Sequence, residues 1–214
     1  MATRTTALDV LEPYFAFLAR PLSEVAADLD AFSALLIKWN KTHNLVSRET
    51  VDALWPRHIA DSLQLLPLVG ASDRVFLDIG SGGGFPAIPL AIALRRQHIL
   101  VEPVGKKATF LKTVSRELGL DLRVENRRAE EVDDFPEIDV ITARALARLT
   151  DVFALAARFW GANTRALLHK GRDYSEELAE SRTLFKFDVI VTQSRTDPRG
   201  AILTVKNLVR KTAG

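Results

Sequence analysis

The sequence predicts an α/β fold in which an N-terminal helical cap precedes a mostly parallel, seven-stranded sheet. Three observations predict it. Apolar residues recur with a helical period before residue 68, short β-branched runs alternate with helical segments after it, and a turn joins the last two runs. We therefore expect a cap over 1–68 and a sheet domain over 69–214, packed as one globule.

The cap is predicted to consist of helices. Apolar residues from Leu29 to Trp39 recur at three- and four-residue steps, which is typical of one buried helical face. A similar spacing over 11–18 predicts an earlier helix, and a third is expected over about 51–66. The cap is thus expected to contribute no strand.

The sheet is predicted from seven short apolar runs rich in β-branched residues. They are RVFLDIG, HILVEP, DLRVEN, DVITAR, RALLHKG, FDVIVTQS and AILTVKN. The last two are joined by Arg195 to Gly200, a stretch that contains Pro198 and has no room for a helix. These two strands are therefore expected to form a closing antiparallel hairpin.

The composition excludes several classes of protein. Hydrophobic residues at 47% and charged residues at 26% exclude disordered, collagenous and coiled-coil chains. The absence of cysteine excludes disulfides, thiolate metal sites and a cysteine nucleophile, and it fits a cytoplasmic location. The longest apolar run, Ala87 to Leu94, is far shorter than the roughly 20 residues of a membrane helix. No metal site is expected, and a net charge of +2 is too small to indicate nucleic acid by itself.

The most informative stretch is a glycine-rich turn after the first predicted strand. The strand ends at Asp78, Gly80 begins the turn, Gly82 and Gly84 continue it, and a helix is expected near Pro86. Glycines let a backbone approach a ligand closely, and open α/β sheets bind ligands beyond the carboxyl ends of their strands. A nucleotide-like cofactor is therefore the expected occupant.

Glycine spacing alone leaves two cofactors open. The dinucleotide pattern fails at Phe85 when it is counted from the first glycine, but fits, ending at Ala87, when it is counted from Gly82. Asp78, the bulky Phe85 and Pro86 favour S-adenosylmethionine. A carboxylate disfavours a pyrophosphate there, but attracts the ammonium and sulfonium groups of S-adenosylmethionine.

Three further residues follow predicted strands on the same edge. Glu102 stands about 20 residues after the turn, where a carboxylate can accept hydrogen bonds from ribose hydroxyls, which both cofactors contain. Ala129 and Glu130 follow the third strand and are expected near the adenine, although Glu130 could equally be a solvated residue at a helix start.

Basic residues mark the other strand ends. Arg144 ends the fourth strand and faces the expected ligand crevice, with a salt bridge at the sheet edge as the alternative. Lys170 ends the fifth strand, and Arg195 and Arg199 lie on the hairpin. Such a ring of cations suits a phosphate backbone better than a small neutral substrate.

Several motifs together point to a known family. They are WNKTHNL over 39–45, RHIADS over 57–62, DIGSGGGFP over 78–86, Arg144-Ala145 and Lys170-Gly171. The chain beyond its first two dozen residues resembles the glucose-inhibited division protein B (RsmG) family, the guanine-N7 methyltransferases of 16S ribosomal RNA. The cap motifs are specific, since generic methyltransferases lack them.

The resemblance implies a Rossmann-like class I methyltransferase fold, S-adenosylmethionine as cofactor, and 16S ribosomal RNA of the small subunit as partner. It implies that Gly80, Phe85, Ala129, Glu130 and Arg144 line the cofactor site, with Glu102 on the ribose. His58 and Asp61 are interpreted first as a contact that packs the cap on the sheet. The complete candidate sets are Asp78, Gly80, Gly82, Gly84, Phe85, Glu102, Ala129, Glu130 and Arg144 for the cofactor, and Arg57, His58, Lys170, Arg195 and Arg199 for RNA.

Guanine N7 carries a free lone pair, so the implied reaction needs no general base and no catalytic residue is expected. The enzyme would position its substrates, with Arg144 and Lys170 assisting and Phe85 or Trp39 available to stack on a base, although Trp39 is more simply a core residue. A monomer is expected. An NAD-dependent oxidoreductase, a small-molecule methyltransferase and a non-catalytic RNA-binding or ribosome-assembly factor remain as alternatives.

Overall fold

A seven-stranded sheet forms the centre of the protein in the computed structural model, which describes residues 7–212 apart from the side chain of Arg48. The strands are β1 (Val75–Ile79), β2 (Gln97–Val101), β3 (Leu122–Glu125), β4 (Val140–Arg144), β5 (Arg165–Lys170), β6 (Phe185–Gln193) and β7 (Ala201–Arg210). Their order is β3-β2-β1-β4-β5-β7-β6. The first five pair in parallel, and β7 is antiparallel to both of its neighbours, so the predicted sheet and closing hairpin are confirmed.

Helices cover both faces of the sheet. They are α1 (Ala7–Leu11), α2 (Leu22–His43), α3 (Arg48–Val51), α4 (Ala60–Leu63), α5 (Ala87–Leu94), α6 (Gly105–Leu118), α7 (Leu149–Ala156) and α8 (Tyr174–Leu184). Helix α2 is the helix predicted around Leu29 to Trp39, and its residues Leu29, Phe32 and Leu36 are fully buried.

Two cap helices are shorter than the sequence predicts. The helix expected over 11–18 stops at Leu11 and continues as a 3-10 turn (Glu12–Phe17), because Pro13 lacks the N–H that an α-helix needs; Phe15 is 66% exposed. The helix expected over 51–66 is divided by a π-helical turn (Trp55–Ile59) that contains Pro56.

Side chains alternate between two cores, one on each face of the sheet. On β1, Phe76 joins a core made with α1, α2, α5 and α6, whereas Leu77 and Ile79 join a second core made with α7 and β6. The cap therefore buries its apolar face in the same core as one face of the sheet. No helix within 7–212 has the length and hydrophobicity to cross a membrane.

Candidate functional site

The glycine turn lies at the carboxyl end of β1. Gly80, Gly82 and Gly84 have φ values of +73°, +55° and +90°, a region that favours glycine. The backbone N–H groups of Gly80 and Ser81 donate to Val101 O, at 2.9 and 3.2 Å, and that of Gly84 donates to Ser81 O at 2.7 Å. Because these N–H groups are used inside the protein, the turn is a poor cradle for a pyrophosphate.

Asp78 lies beneath this turn and is 1% exposed. One carboxylate oxygen accepts the Thr142 hydroxyl at 2.6 Å, and the other has no hydrogen-bond partner among the described residues. Burial raises the pKa of Asp78 to about 6. A buried carboxylate with an unused oxygen fits a cationic ligand group, as S-adenosylmethionine would provide, and not a phosphate.

Glu102 follows β2 and braces the turn. One of its carboxylate oxygens accepts Gly82 N at 2.8 Å, and the other accepts Val104 N at 2.9 Å. The residue is 4% exposed. Glu102 thus has a structural role that the sequence did not indicate, while the remaining lone pairs of both oxygens stay available to a ribose.

The cap also holds the turn. Asn40 in α2 accepts Val46 N at 2.9 Å, which fixes the loop that follows the helix. Leu45 O of that loop lies 3.1 Å from the position that a Cβ on Gly83 would occupy. The cap motif over 39–45 therefore places backbone directly against the glycine turn, and Gly83 leaves the space for it.

Other members of the predicted cofactor set contribute differently. Phe85 is 4% exposed and packs against Phe32, with ring centroids 5.3 Å apart, so it is not free to stack on a base. A Cβ on Gly84 would clash with Ile88 Cγ1, which indicates a packing role for this glycine. Ala129 is buried at the start of a 3-10 turn after β3, and Glu130 beside it is exposed.

Leu146 covers the turn from the other side. A Cβ on Gly80 would meet Leu146 Cδ1 at 2.5 Å. The preceding Ala145 has a φ of +51°, and Leu146 itself is 37% exposed. The segment between β4 and α7 therefore lies over the first glycine, and a ligand seated on Gly80 has to displace this side chain.

Arg144 connects the sheet to the cap. Its guanidinium donates to Asp61 Oδ2 at 3.0 Å, His58 Nδ1 at 2.7 Å and Arg57 O at 3.3 Å, and it lies 5.1 Å from the Phe85 ring. The side chains of Arg144 and Asp61 are each 16% exposed. The structure thus realises the salt-bridge alternative for Arg144, and His58 and Asp61 form the cap contact expected of them.

Asp61 extends this contact to the hairpin. Its Oδ1 accepts the Thr196 hydroxyl at 2.5 Å and Gln64 Nε2 at 2.7 Å. Gln64 also accepts Arg195 N at 2.9 Å through its own side-chain oxygen. The cap, the end of β4 and the β6–β7 loop are therefore joined by one hydrogen-bonded network.

Burial in this network disfavours the charged form of its two histidines. An arginine can only donate, so His58 Nδ1 accepts from Arg144 and its buried Nε2–H has no partner among the described residues. Burial, and then the Arg144 charge, lowers the pKa of His58 to about 4, and burial also lowers that of His169. Burial alone would raise the pKa of Asp61, but His169, the Thr196 hydroxyl and Arg144 outweigh it and hold that pKa below its usual value.

Lys170 is not the free cation that the sequence predicted. Its side chain is 10% exposed and its ammonium pairs with Glu177 Oε2 at 2.5 Å and donates to Ala147 O at 3.1 Å. Of the two hairpin arginines, Arg195 is exposed beside the Tyr14 ring and Arg199 is 74% exposed. An RNA backbone can reach these arginines without breaking a buried ion pair.

A cavity of about 360 Å³ opens between the cap, the ends of β4 and β5, and the β6–β7 loop. Its charged lining consists of Arg57, Asp61, Arg144, Lys170, Glu177 and Asp197. Because Ala145 also lines it and Leu146 covers Gly80, the cavity adjoins the glycine turn. His169 and Glu177 line the cavity although no sequence motif assigned them to it, and Asp61 was interpreted from its motif only as a cap contact.

The strand order, and the glycine turn at the end of β1, are those of the class I methyltransferase fold. Solved structures agree on the fold: a variant of MtNAS in complex with S-adenosylmethionine superposes with a TM-score of 0.56 at 19% identity, covering 93% of this chain and 81% of that one. A ribosomal protein L11 methylase from Lactobacillus delbrueckii subsp. bulgaricus gives 0.56 at 16% identity, covering 73% and 79%.

Sequence comparisons identify the family. The family model described as GidB, rRNA small subunit methyltransferase G, matches residues 25–200. A curated relative in Brucella anthropi, named Ribosomal RNA small subunit methyltransferase G, is 46% identical over 196 residues, which cover 89% of this chain and 91% of the relative. The chain therefore belongs to the GidB family, the S-adenosylmethionine-dependent methyltransferases of ribosomal RNA, and the family resemblance seen in its motifs is confirmed.

Proposed function

We propose that this protein transfers the methyl group of S-adenosylmethionine to N7 of one guanosine in 16S ribosomal RNA of the small subunit. The observation that carries the proposal is the juxtaposition of two sites on one sheet edge. A glycine turn over the buried Asp78 lies beside a polar cavity at the ends of β4 and β5.

Asp78, Gly80, Gly82 and Glu102 would hold the cofactor. The unused Asp78 oxygen favours its cationic end, the glycines admit it close to the backbone, and Glu102 faces the ribose. Ala129, Glu130 and Arg144 stay in the proposed site as neighbours of the adenine and of the cavity. When bound, S-adenosylmethionine supplies a methyl group on a positively charged sulfur.

The described side chains suit a reaction that needs positioning and no proton removal. His58, held by Arg144, and the buried His169 have pKa values lowered by burial, and Asp61 is held as a carboxylate by its donors. The pKa values of all three are therefore shifted away from neutral pH and not towards it. Holding N7 in line with the methyl–sulfur bond can supply on the order of 7–11 kcal/mol.

The exposed hairpin arginines, Arg195 and Arg199, are proposed to contact the RNA backbone, together with Arg57 and His58 at the cavity rim. Of the basic groups that line the cavity, Arg144 and Lys170 are paired with carboxylates, so backbone affinity would come mainly from the hairpin and from the exposed Arg57. A monomeric state and a cytoplasmic location remain predictions.

Methyl transfer from labelled S-adenosylmethionine tests the proposal, with isolated small subunits and naked 16S RNA as parallel substrates. We expect one N7-methylguanosine, mapped by mass spectrometry of RNA fragments. Label on another atom would contradict the N7 assignment. RNA binding without transfer would favour a non-catalytic factor, and binding of NAD in preference to S-adenosylmethionine would overturn the cofactor site.

A further inference from the structure

The cavity beside the glycine turn has an unusual charge balance for a nucleic-acid enzyme. Its lining contains three basic residues, Arg57, Arg144 and Lys170, and three acidic ones, Asp61, Glu177 and Asp197, so the formal charges cancel. A phosphate would meet three carboxylates there. The cavity therefore suits an uncharged polar group, such as an unpaired base, and not the RNA backbone.

The acidic groups of the cavity differ in what they can still accept. Both oxygens of Asp61 are taken by protein donors, and Asp197 lies at the rim with its side chain 41% exposed. Glu177 is 16% exposed; its Oε2 accepts Lys170 and, at 2.6 Å, Leu149 N. Its Oε1 has no hydrogen-bond partner among the side chains and backbone that the structure describes. Glu177 thus combines burial with an unused acceptor.

We propose that this cavity receives the target guanine and that Glu177 determines base specificity by accepting hydrogen bonds from guanine N1–H and the N2 amino group. The inference rests on the proposed function. The neighbouring Lys170 ammonium has a third N–H beyond its bonds to Glu177 and Ala147, and it matches guanine O6. Adenine would present an amino group to the ammonium and a bare N1 to the carboxylate, so both contacts would be repulsive.

The chemistry of transfer strengthens this role of Glu177. The N7 lone pair forms the new N7–carbon bond, the carbon–sulfur bond breaks with its electron pair returning to sulfur, and one positive charge moves to the guanine ring. No proton has to leave. A carboxylate against the N1–N2 edge stabilises the ring as it becomes cationic, and this stabilisation is stronger in the transition state than in the ground state.

The test combines one protein change with one change in the RNA. Once the modified guanosine is mapped, it is replaced by inosine, which keeps N7, O6 and N1–H but lacks the N2 amino group. For the wild-type protein we expect inosine to lower kcat/KM by about 10-fold or more, as for loss of a hydrogen bond to a charged group. For Glu177→Gln, which keeps an acceptor for Leu149 N, we expect a similar loss on guanosine and an inosine penalty below about 3-fold.

Glu176→Gln is the matched control, since Glu176 carries the same charge, is exposed and does not line the cavity. It is expected to retain the full inosine penalty. Equal inosine penalties in the wild type and in Glu177→Gln would overturn the inference, because Glu177 would then not contact the amino group. If the wild type methylates no guanosine N7, the proposed function itself has failed, which is a different outcome.

A second variant keeps the inference testable should Glu177→Gln unfold. A Cβ on Gly171 meets nothing within 4 Å, and this residue lines the cavity, so the backbone accepts a side chain there and Gly171→Leu adds bulk to the cavity wall. We expect RNA methylation to fall at least about 10-fold while S-adenosylmethionine affinity changes less than about 2-fold, since only the base site is filled. Unchanged methylation would show that the base does not enter this cavity.

Discussion

The contact between Arg144 and Asp61 is expected to couple the stability of the cap to that of the sheet. The perturbation is a double-mutant cycle with Arg144→Met, Asp61→Asn and the combined variant. Breaking a buried ion pair from one side costs about 3–5 kcal/mol. The two side chains are each 16% exposed and Asp61 keeps other donors, so we expect about 2–3 kcal/mol for each single change.

The double variant should lose less than the sum of the single losses, because neither partner is then left as an unpaired buried charge. We expect a coupling free energy of about 1–2 kcal/mol. Urea unfolding at pH 7.5, followed by circular dichroism, gives the four free energies of unfolding. Repeating the cycle in 0.5 M salt should change the coupling little, since buried pairs are poorly screened.

Additivity of the two changes within about 0.5 kcal/mol would refute this reasoning. It would mean that the pair behaves as a solvated surface contact. A coupling that disappears in salt would lead to the same conclusion.

Three further predictions concern other parts of the structure. Burial lowers the pKa of the fully buried His98 to about 4 from 6.5, so the unfolded chain binds a proton at a higher pH than the folded protein, and stability is lost as pH falls from 6.5 towards 4. The variant His98→Phe should therefore reduce the loss of unfolding free energy between pH 7 and pH 5 by about 2 kcal/mol. A loss equal to that of the wild type would contradict this prediction. Leu146→Ala should tighten S-adenosylmethionine binding by about 3- to 10-fold in calorimetry, because the ligand no longer displaces a side chain from Gly80; weaker binding would show that Leu146 contacts the ligand instead. Arg199→Gln should lower RNA affinity and reduce the slope of log K against log salt by about 1, with S-adenosylmethionine affinity unchanged; an unaltered slope would remove Arg199 from the RNA surface.

The sheet was predictable because each strand is a short apolar run whose neighbours in sequence are turns or amphipathic helices. The closing hairpin followed from a connection of six residues, Arg195 to Gly200, that contains a proline. The cap helices were predicted less well, since apolar spacing over 11–18 and 51–66 outweighed the prolines inside those segments.

The site was predictable only where residues follow one another in the chain. The glycine turn over Asp78 was predictable for this reason, because the residues from 78 to 86 are consecutive. The ion-pair partners of Arg144 and Lys170 could not be predicted. Asp61 lies 83 residues from its partner Arg144 and 135 residues from Thr196, which also binds it. Nothing in the sequence of α8 distinguishes Glu177, the partner of Lys170, from its acidic neighbours. Arg144 and Lys170 at the strand ends suggested a surface for phosphate, but both are paired with carboxylates. A charge in a poorly solvated position needs such a partner, and the spacing of residues in the sequence does not show which residue it is.

The contact between the cap loop and Gly83 is expected to couple the binding of S-adenosylmethionine to the binding of RNA. Leu45 O lies only 3.1 Å from where a Cβ on Gly83 would stand, so the cap loop and the cofactor turn are packed directly against each other. We therefore expect an RNA bound to the cap to change the affinity of the turn for S-adenosylmethionine, and S-adenosylmethionine to change the affinity for RNA by the same factor. Whichever ligand binds first, the affinity for the second then changes by this one coupling factor.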